Sequence, residues 1–86
     1  MTGAELISAE RKRQIGEEGY DSVHDWQWDR GELRIAALCY LRNTTSKVPA
    51  RWPWNDEHWK PTKDPIRRLV KAGALIAAEI DRLSNL

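Results

Sequence analysis

The sequence predicts an all-α protein, a small domain of three helices with a long Trp- and Pro-rich loop before the C-terminal helix. Apolar residues recur at helical spacing, each predicted helix is preceded by a capping sequence, and no segment shows the apolar and polar alternation of a strand. The 86 residues suffice for one domain, spanning 1–86. A chain of this length buries only about 60 to 65% of the surface that its unfolded form exposes, so its core is thin.

The first two helices are predicted over residues 3–17 and 30–43. Thr2 with Glu5, and Asp29 with Glu32, have the spacing of a capping box, in which side chains and backbone N–H groups at a helix start satisfy each other. Gly16 and the glycine three residues after it are predicted to end the first helix. Apolar residues at the helical period mark the core-facing side of the second: Leu33, Ala36, Ala37, Tyr40 and Leu41.

The third helix, predicted over residues 64–83, has the strongest pattern. Asp64 supplies its N-cap and Pro65 its preferred first residue. One apolar face extends from Ile66 to Leu83 and is predicted to face the core, where Gly73 indicates the close approach of another backbone. Because short helices leave part of this face uncovered, we expect self-association into a two-fold homodimer. The predicted core consists of Leu6, Ile15, Leu33, Ala37, Tyr40, Leu41, Leu69, Val70, Ile76 and Ile80.

The loop before the third helix contains "RWPWNDEHWKP", residues 51–61, with three of the five tryptophans. In an extended chain around Pro53 the two flanking rings cannot both face the core, so we predict that Trp54 is buried and Trp52 exposed. The surrounding residues are predicted to form a concave patch that binds a ligand or partner. Its predicted members are His24, Asp25, Arg51, Trp52, His58, Trp59 and Lys60. The alternative is that the three tryptophans serve only to pack the core.

Composition narrows the classes of partner. The net charge of +1 disfavours polynucleotide binding, which depends on accumulated positive charge. The single cysteine, Cys39, lies among apolar residues and is interpreted as a buried thiol in a reducing compartment. The N-terminus does not resemble a signal peptide, and no apolar run approaches the ~20 residues needed to span a bilayer. We therefore expect a soluble protein of the host-cell cytoplasm without membrane association.

Four segments together resemble a group of small proteins encoded by phages and prophages: "AERKRQIGEEGY", "HDWQWDRGEL", "WPWNDEHWKP" and "RRLVKAGALIAAEIDRL". The resemblance covers almost the whole chain and implies a phage or prophage setting, without a reaction or a cofactor. Similar proteins often carry a second acid after the His-Asp pair, where this chain has Trp26.

Two functions remain open at this stage. The first is a non-enzymatic accessory protein, without catalytic residues or a metal, that binds and blocks a host protein or a small nucleotide-like ligand, for example in counter-defence. Tryptophan and arginine are the residues that carry most interface energy. The second is a Mg²⁺-dependent nucleoside triphosphate pyrophosphohydrolase of the all-α MazG-like type, whose metal would be held by His24, Asp25, Asp29 and Glu32. The paired acidic helix motifs of those enzymes are absent from this sequence.

Overall fold

The computed structural model describes residues 1–18, 27–42 and 46–84. These residues contain α1 (Gly3–Glu18), α2 (Glu32–Arg42), a short 3₁₀ turn (Asp56–His58) and α3 (Pro65–Ser84). None of them forms a strand. The predicted all-α fold, with a long loop before the last helix, is therefore confirmed.

α3 is the spine of the domain. It packs against both α1 and α2, whereas α1 and α2 share no comparable interface within the described ranges. The helices in those ranges lack the combination of length and apolar character that a membrane span requires.

The helix starts at α1 and α3 are capped as predicted. The backbone N–H of Thr2 donates to Glu5 Oε1 at 2.8 Å, and the N–H of Glu5 donates to Thr2 Oγ1 at 3.2 Å. These bonds with Thr2 hold the pKa of Glu5 below its usual value. At the start of α3, Asp64 Oδ1 accepts from the N–H of Ile66 at 3.0 Å. Both caps satisfy donors that a helix start leaves without an intrahelical partner.

α2 begins at Glu32 rather than at residue 30, which corrects the predicted boundary. Gly31 has a φ of 82°, outside the helical region and easily adopted only by glycine. The Glu32 carboxylate accepts from the N–H of Arg30 at 2.7 Å, a contact that replaces the predicted capping box with Asp29.

The core lies between α2 and α3 and is built largely from small residues. Leu33 and Ala36 of α2 are fully buried in one cluster with Ala72 and Ala78 of α3, and the small alanine side chains leave room for close helix packing. The buried apolar residues are Leu33, Ala36, Ala37, Cys39, Tyr40, Trp59, Val70, Ala72, Ala74, Leu75 and Ala78. The prediction was correct for Leu33, Ala37, Tyr40 and Val70. Leu6 is only half-buried, and Ile15, Leu41, Leu69, Ile76 and Ile80 are exposed.

Five of the large apolar side chains of α3 point away from the core, contrary to the prediction. They are Ile66, Leu69, Ile76, Ile80 and Leu83, with exposures of 62%, 57%, 43%, 58% and 51%; we call these five residues the apolar seam. The opposite, buried face carries Ala72, Ala74, Leu75 and Ala78, together with Glu79 and Arg82. The alanines permit close helix packing, and the two shorter helices bury that face while leaving the seam uncovered.

Gly73 interrupts the seam where α1 approaches α3. A Cβ atom at this position would lie 2.7 Å from Cδ1 and 3.0 Å from Cγ1 of Ile7. The predicted close approach is therefore present, but a side chain makes it and not a backbone. The missing side chain of Gly73 provides the space that Ile7 occupies.

Candidate functional site

Five aromatic side chains form one cluster: three come from the loop that leads to α3, one from α2 and one from the segment before α2. Tyr40 stacks on Trp59 with ring centroids 4.8 Å apart. Trp52 meets Tyr40 and Trp59 edge-on, at centroid distances of 5.7 and 5.0 Å. Trp54 lies 5.3 Å from Trp52 and 5.4 Å from Trp28. Such tilted and edge-on contacts are favoured because the positive edge of one ring meets the negative face of another. We call these five residues the aromatic cluster.

Polar contacts fasten the loop to the helices. The hydroxyl of Tyr40 on α2 accepts from the N–H of Lys60 at 3.3 Å, and Lys71 Nζ on α3 donates to the carbonyl of Lys60 at 2.8 Å. The Lys71 ammonium also lies 5.5 Å from the centroid of the Tyr40 ring, within range of a cation–π interaction. Within the loop, Trp52 Nε1 donates to the carbonyl of Asn55 at 3.1 Å. The Lys60 backbone of the loop is therefore anchored to both α2 and α3.

A recess of about 10 Å³ lies where the aromatic cluster, α1 and α3 meet. Its lining includes three of the predicted site residues, Trp52, His58 and Lys60, which we call the rim. A volume of about 10 to 15 Å³ holds one water-sized sphere, so the recess does not enclose an organic ligand. A ligand or partner must contact the rim from outside.

The buried carboxylate of Glu10 on α1 lies beside this recess. Glu10 is 1% exposed, and Arg13 donates to both of its oxygens at 2.8 Å. Gln14 Nε2 donates to Oε2 at 3.1 Å, and Arg67 of α3 donates to Oε1. Burial alone would raise the pKa of Glu10, but the hydrogen bonds and charges of Arg13, with Arg67 and Gln14, hold it below its usual value. The ionised carboxylate thus joins α1 to α3.

The other predicted members of the site do not join the rim. Arg51 is exposed but lines a separate groove beside α2. Trp59 is 6% exposed and stacked on Tyr40, so its predicted role in contacting a partner is wrong: its ring is part of the core. His24 and Asp25 lie outside the described residues.

The predicted division between an exposed Trp52 and a buried Trp54 is also wrong. Both are half-buried and both pack against the core. The chain does not stay extended here, because the N–H of Trp52 donates to the carbonyl of Pro49 at 3.0 Å and forms a turn. A bend follows at Trp54, and the two rings lie in edge-on contact, so the directions expected of an extended strand do not apply.

A second buried carboxylate, Glu79 on α3, is held by two guanidinium groups. Arg82 Nε donates to its Oε1 at 2.7 Å, and Arg34 Nε forms an ion pair with its Oε2 at 3.1 Å. The hydrogen bond with Glu79 raises the pKa of Arg82, burial opposes that change, and the charges of Asp29 and Glu32 add to it. The charges of Asp29 and Glu32 thus act on the Arg82 end of this ion-pair network.

Asp29 and Glu32 are the two described members of the alternative Mg²⁺ site. Among the described residues, no three His, Cys, Asp or Glu side chains are arranged to hold a metal ion. The other two proposed ligands, His24 and Asp25, belong to the residues that the structure does not describe.

Sequence reasoning missed the polar residues beneath the rim, above all Glu10, Gln14 and Lys71. A signal was present for two of them, because Glu10 and Gln14 share a helical face with Ile7, at the i, i+3 and i+7 positions. Glu10 also lies three residues before Arg13, the spacing of a helical ion pair. The distant partner of Glu10, Arg67, carried no comparable local signal.

No family model, curated protein or solved structure matches the chain. The exposed surfaces described above are therefore the basis for assigning a function.

Proposed function

We propose that the protein is a non-enzymatic accessory protein of phage or prophage origin that binds a partner protein in the host cytoplasm and blocks it. The rim is the surface proposed for the blocked partner, and the apolar seam is the observation that supports a protein acting through protein contacts. Its five large aliphatic side chains are between 43% and 62% exposed. Monomeric soluble proteins rarely leave a contiguous apolar patch of more than a few hundred Å² uncovered. The exposed seam therefore supports the proposal that this protein acts by binding other proteins.

The first occupant of the seam is a second copy of the chain. The five seam positions 66, 69, 76, 80 and 83 lie on one face of α3, with three-residue and four-residue separations typical of helices that pack side by side. Between positions 69 and 76, Ile7 of α1 occupies the space at Gly73, so the contact with a second copy would lie on either side of that point. Two antiparallel copies of α3 related by a two-fold axis would each cover the other's seam.

The free energy of this dimer contact follows from the exposed fractions of the five seam side chains. Full burial of an aliphatic side chain contributes about 1.5 to 3 kcal/mol, so five half-exposed side chains contribute about 4 to 8 kcal/mol per protomer. The two protomers together contribute about 8 to 16 kcal/mol, against an association cost of about 4 to 15 kcal/mol. A dimer that dissociates in the micromolar range is consistent with this balance.

The rim is the surface left for the blocked partner. Its recess is too small for a nucleotide-like ligand, whereas a protein surface needs only to lie across it. Residues 46–71 hold seven bases against three acids, so the neighbourhood of the rim favours a partner with an acidic face. Trp52 supplies the half-buried aromatic side chain that interface hot spots commonly use.

One observation favours the alternative, a Mg²⁺-dependent pyrophosphohydrolase: the charges of Asp29 and Glu32 act on Arg82, the partner of Glu79, and help to raise its pKa. Against it, Arg34 and Arg82 engage the two oxygens of Glu79. Pyrophosphate release from nucleoside triphosphates in the presence of Mg²⁺, lost on Glu32→Gln and kept on Glu57→Gln, would establish this alternative. Glu57 is an exposed carboxylate in the 3₁₀ turn and serves as the matched control.

The proposed function is tested with three tagged forms of the protein in host lysate: the wild type, Lys60→Glu and Lys63→Glu. Both lysines are exposed and both substitutions change the charge equally, but only Lys60 lines the recess. We expect one protein to bind the wild type and Lys63→Glu and not Lys60→Glu, and to show the same order of affinity when purified. Equal recovery by all three forms would contradict the proposal.

A further inference from the structure

A groove of about 250 Å³ lies between α2 and the loop that follows it. It shares no lining residue with the recess, so it is a separate site. Its apolar floor includes Ile35 and Leu38 of α2 and Pro49 of the loop. Leu38 is 48% exposed, which leaves apolar surface open to a ligand. The volume is close to the lower end of the about 300 to 1,000 Å³ typical of small-molecule pockets.

Cys39 also lines the groove and keeps its floor uncharged. Cys39 is buried, with 5% of its surface exposed. Burial raises the pKa of Cys39, and the nearby charge of Arg51 opposes this change without reversing it. The neutral thiol is a small apolar group in the floor of the groove.

Two guanidinium groups add positive charge to this apolar site. Arg42 comes from the last turn of α2, and Arg51 comes from the loop. Both are exposed, and neither is ion-paired with any residue in the described ranges. Among the described residues, no carboxylate lines the groove. A guanidinium is always charged and presents a planar pair of donors that matches a carboxylate or a phosphate.

We propose that the groove binds a small amphipathic anion, with an apolar body on the floor and one carboxylate or phosphate group held by Arg42 and Arg51. A nucleotide fits this lining poorly, because its sugar and base would place several polar groups on apolar surface without hydrogen-bond partners. The proposal concerns a site and a ligand class apart from the rim and the seam, and it does not depend on the proposed function.

The probes are octanoate, octyl phosphate and octanol, each below its micelle concentration, titrated into the ¹⁵N-labelled protein. We expect backbone amide shifts to concentrate at Ile35, Cys39 and Ala50, with millimolar or tighter binding of both anions. Octanol, which has the same body without the charge, should bind about tenfold more weakly, as expected when charge-assisted hydrogen bonds are lost. The tighter of the two anions identifies the head group.

Matched double variants separate the arginines from a general effect of charge. Arg42→Gln with Arg51→Gln should weaken octanoate binding about tenfold, whereas Lys47→Gln with Lys63→Gln, which removes the same charge from exposed positions outside the groove, should change it less than about twofold. Amide spectra unchanged away from the groove verify that each variant is folded. The proposal is overturned if octanol binds as tightly as octanoate, if neither anion binds at millimolar concentration, if shifts concentrate on the seam, or if both double variants lose affinity equally.

Discussion

Replacing Trp59 with alanine is expected to remove a large part of the free energy of unfolding. Trp59 is 6% exposed, with its ring 4.8 Å from Tyr40 and 5.0 Å from Trp52. Truncating a buried tryptophan costs about 3 to 5 kcal/mol. Each aromatic pair contributes about 0.5 to 1.5 kcal/mol beyond burial, which places the loss near the upper end, about 4 to 5 kcal/mol. At about 0.05 to 0.15 kcal/mol per residue, the whole domain has only about 4 to 13 kcal/mol.

The free energy of unfolding of Trp59→Ala is measured by urea unfolding, followed by circular dichroism at one protein concentration. Two further variants serve as controls. Trp52→Ala removes a half-buried ring and should cost about half as much, about 2 kcal/mol. Trp59→Phe keeps a stacked ring and removes an indole N–H that is buried without a hydrogen-bond partner among the described residues, so it should cost less than about 1.5 kcal/mol. The assignment of Trp59 to the core is refuted if Trp59→Ala costs no more than Trp52→Ala.

Two further predictions concern contacts of α1 with α3. The pKa of Glu10 is lower in the folded protein than its ordinary value of 4.5, so the ionised carboxylate stabilises the fold above that pH and this stabilisation is lost as the pH falls through the lower folded value. Glu10→Gln should therefore reduce the urea midpoint at neutral pH and reduce it much less in acid; a reduction that is the same at every pH would contradict the ion-pair account. On α3, Gly73→Ala adds a methyl group that would clash with the side chain of Ile7. In an Ile7→Ala background that clash is absent, so the same substitution should stabilise the fold by up to about 1 kcal/mol, the difference in helix propensity between glycine and alanine. A double-mutant cycle should show this coupling, and additive effects would show that the two residues do not compete for space.

Local features of the fold were predictable from the sequence because they depend on near neighbours. The cap formed by Thr2 and Glu5 and the Asp64 cap at α3 involve residues at most three positions apart, and both were predicted correctly. The start of α2 was misplaced because Gly31 adopts a positive φ, which the spacing of acids alone does not reveal.

The helical repeat of apolar residues in α3 did not predict whether their face points into the core or away from it. A helical repeat shows that Ile76 and Ile80 share a face, but it does not show whether that face meets the rest of the same chain or another protein. The buried face is set by the small side chains of Ala74 and Ala78, which allow close packing in a domain too small to cover both faces of its longest helix.

The candidate site was predicted in part. The richness of residues 51–61 in aromatic and basic side chains correctly indicated that Trp52, His58 and Lys60 would lie together. Which ring is buried depended on the stacking of Trp59 against Tyr40, a residue of α2 that lies nineteen positions earlier in the chain. Such long-range contacts have no local signature in the sequence.

Sedimentation equilibrium tests most directly whether the apolar seam is a protein-binding face. The wild type is compared with one variant inside the seam and one outside it. Ile76→Glu places a charge in the seam, and Leu38→Glu places one at a similarly exposed aliphatic position on α2, outside it. The account predicts that the 10.0 kDa chain dimerises at micromolar concentration, that Leu38→Glu does so equally, and that Ile76→Glu is a folded monomer at the same concentration. A wild type that stays monomeric at high micromolar concentration, or equal disruption by both substitutions, would contradict it.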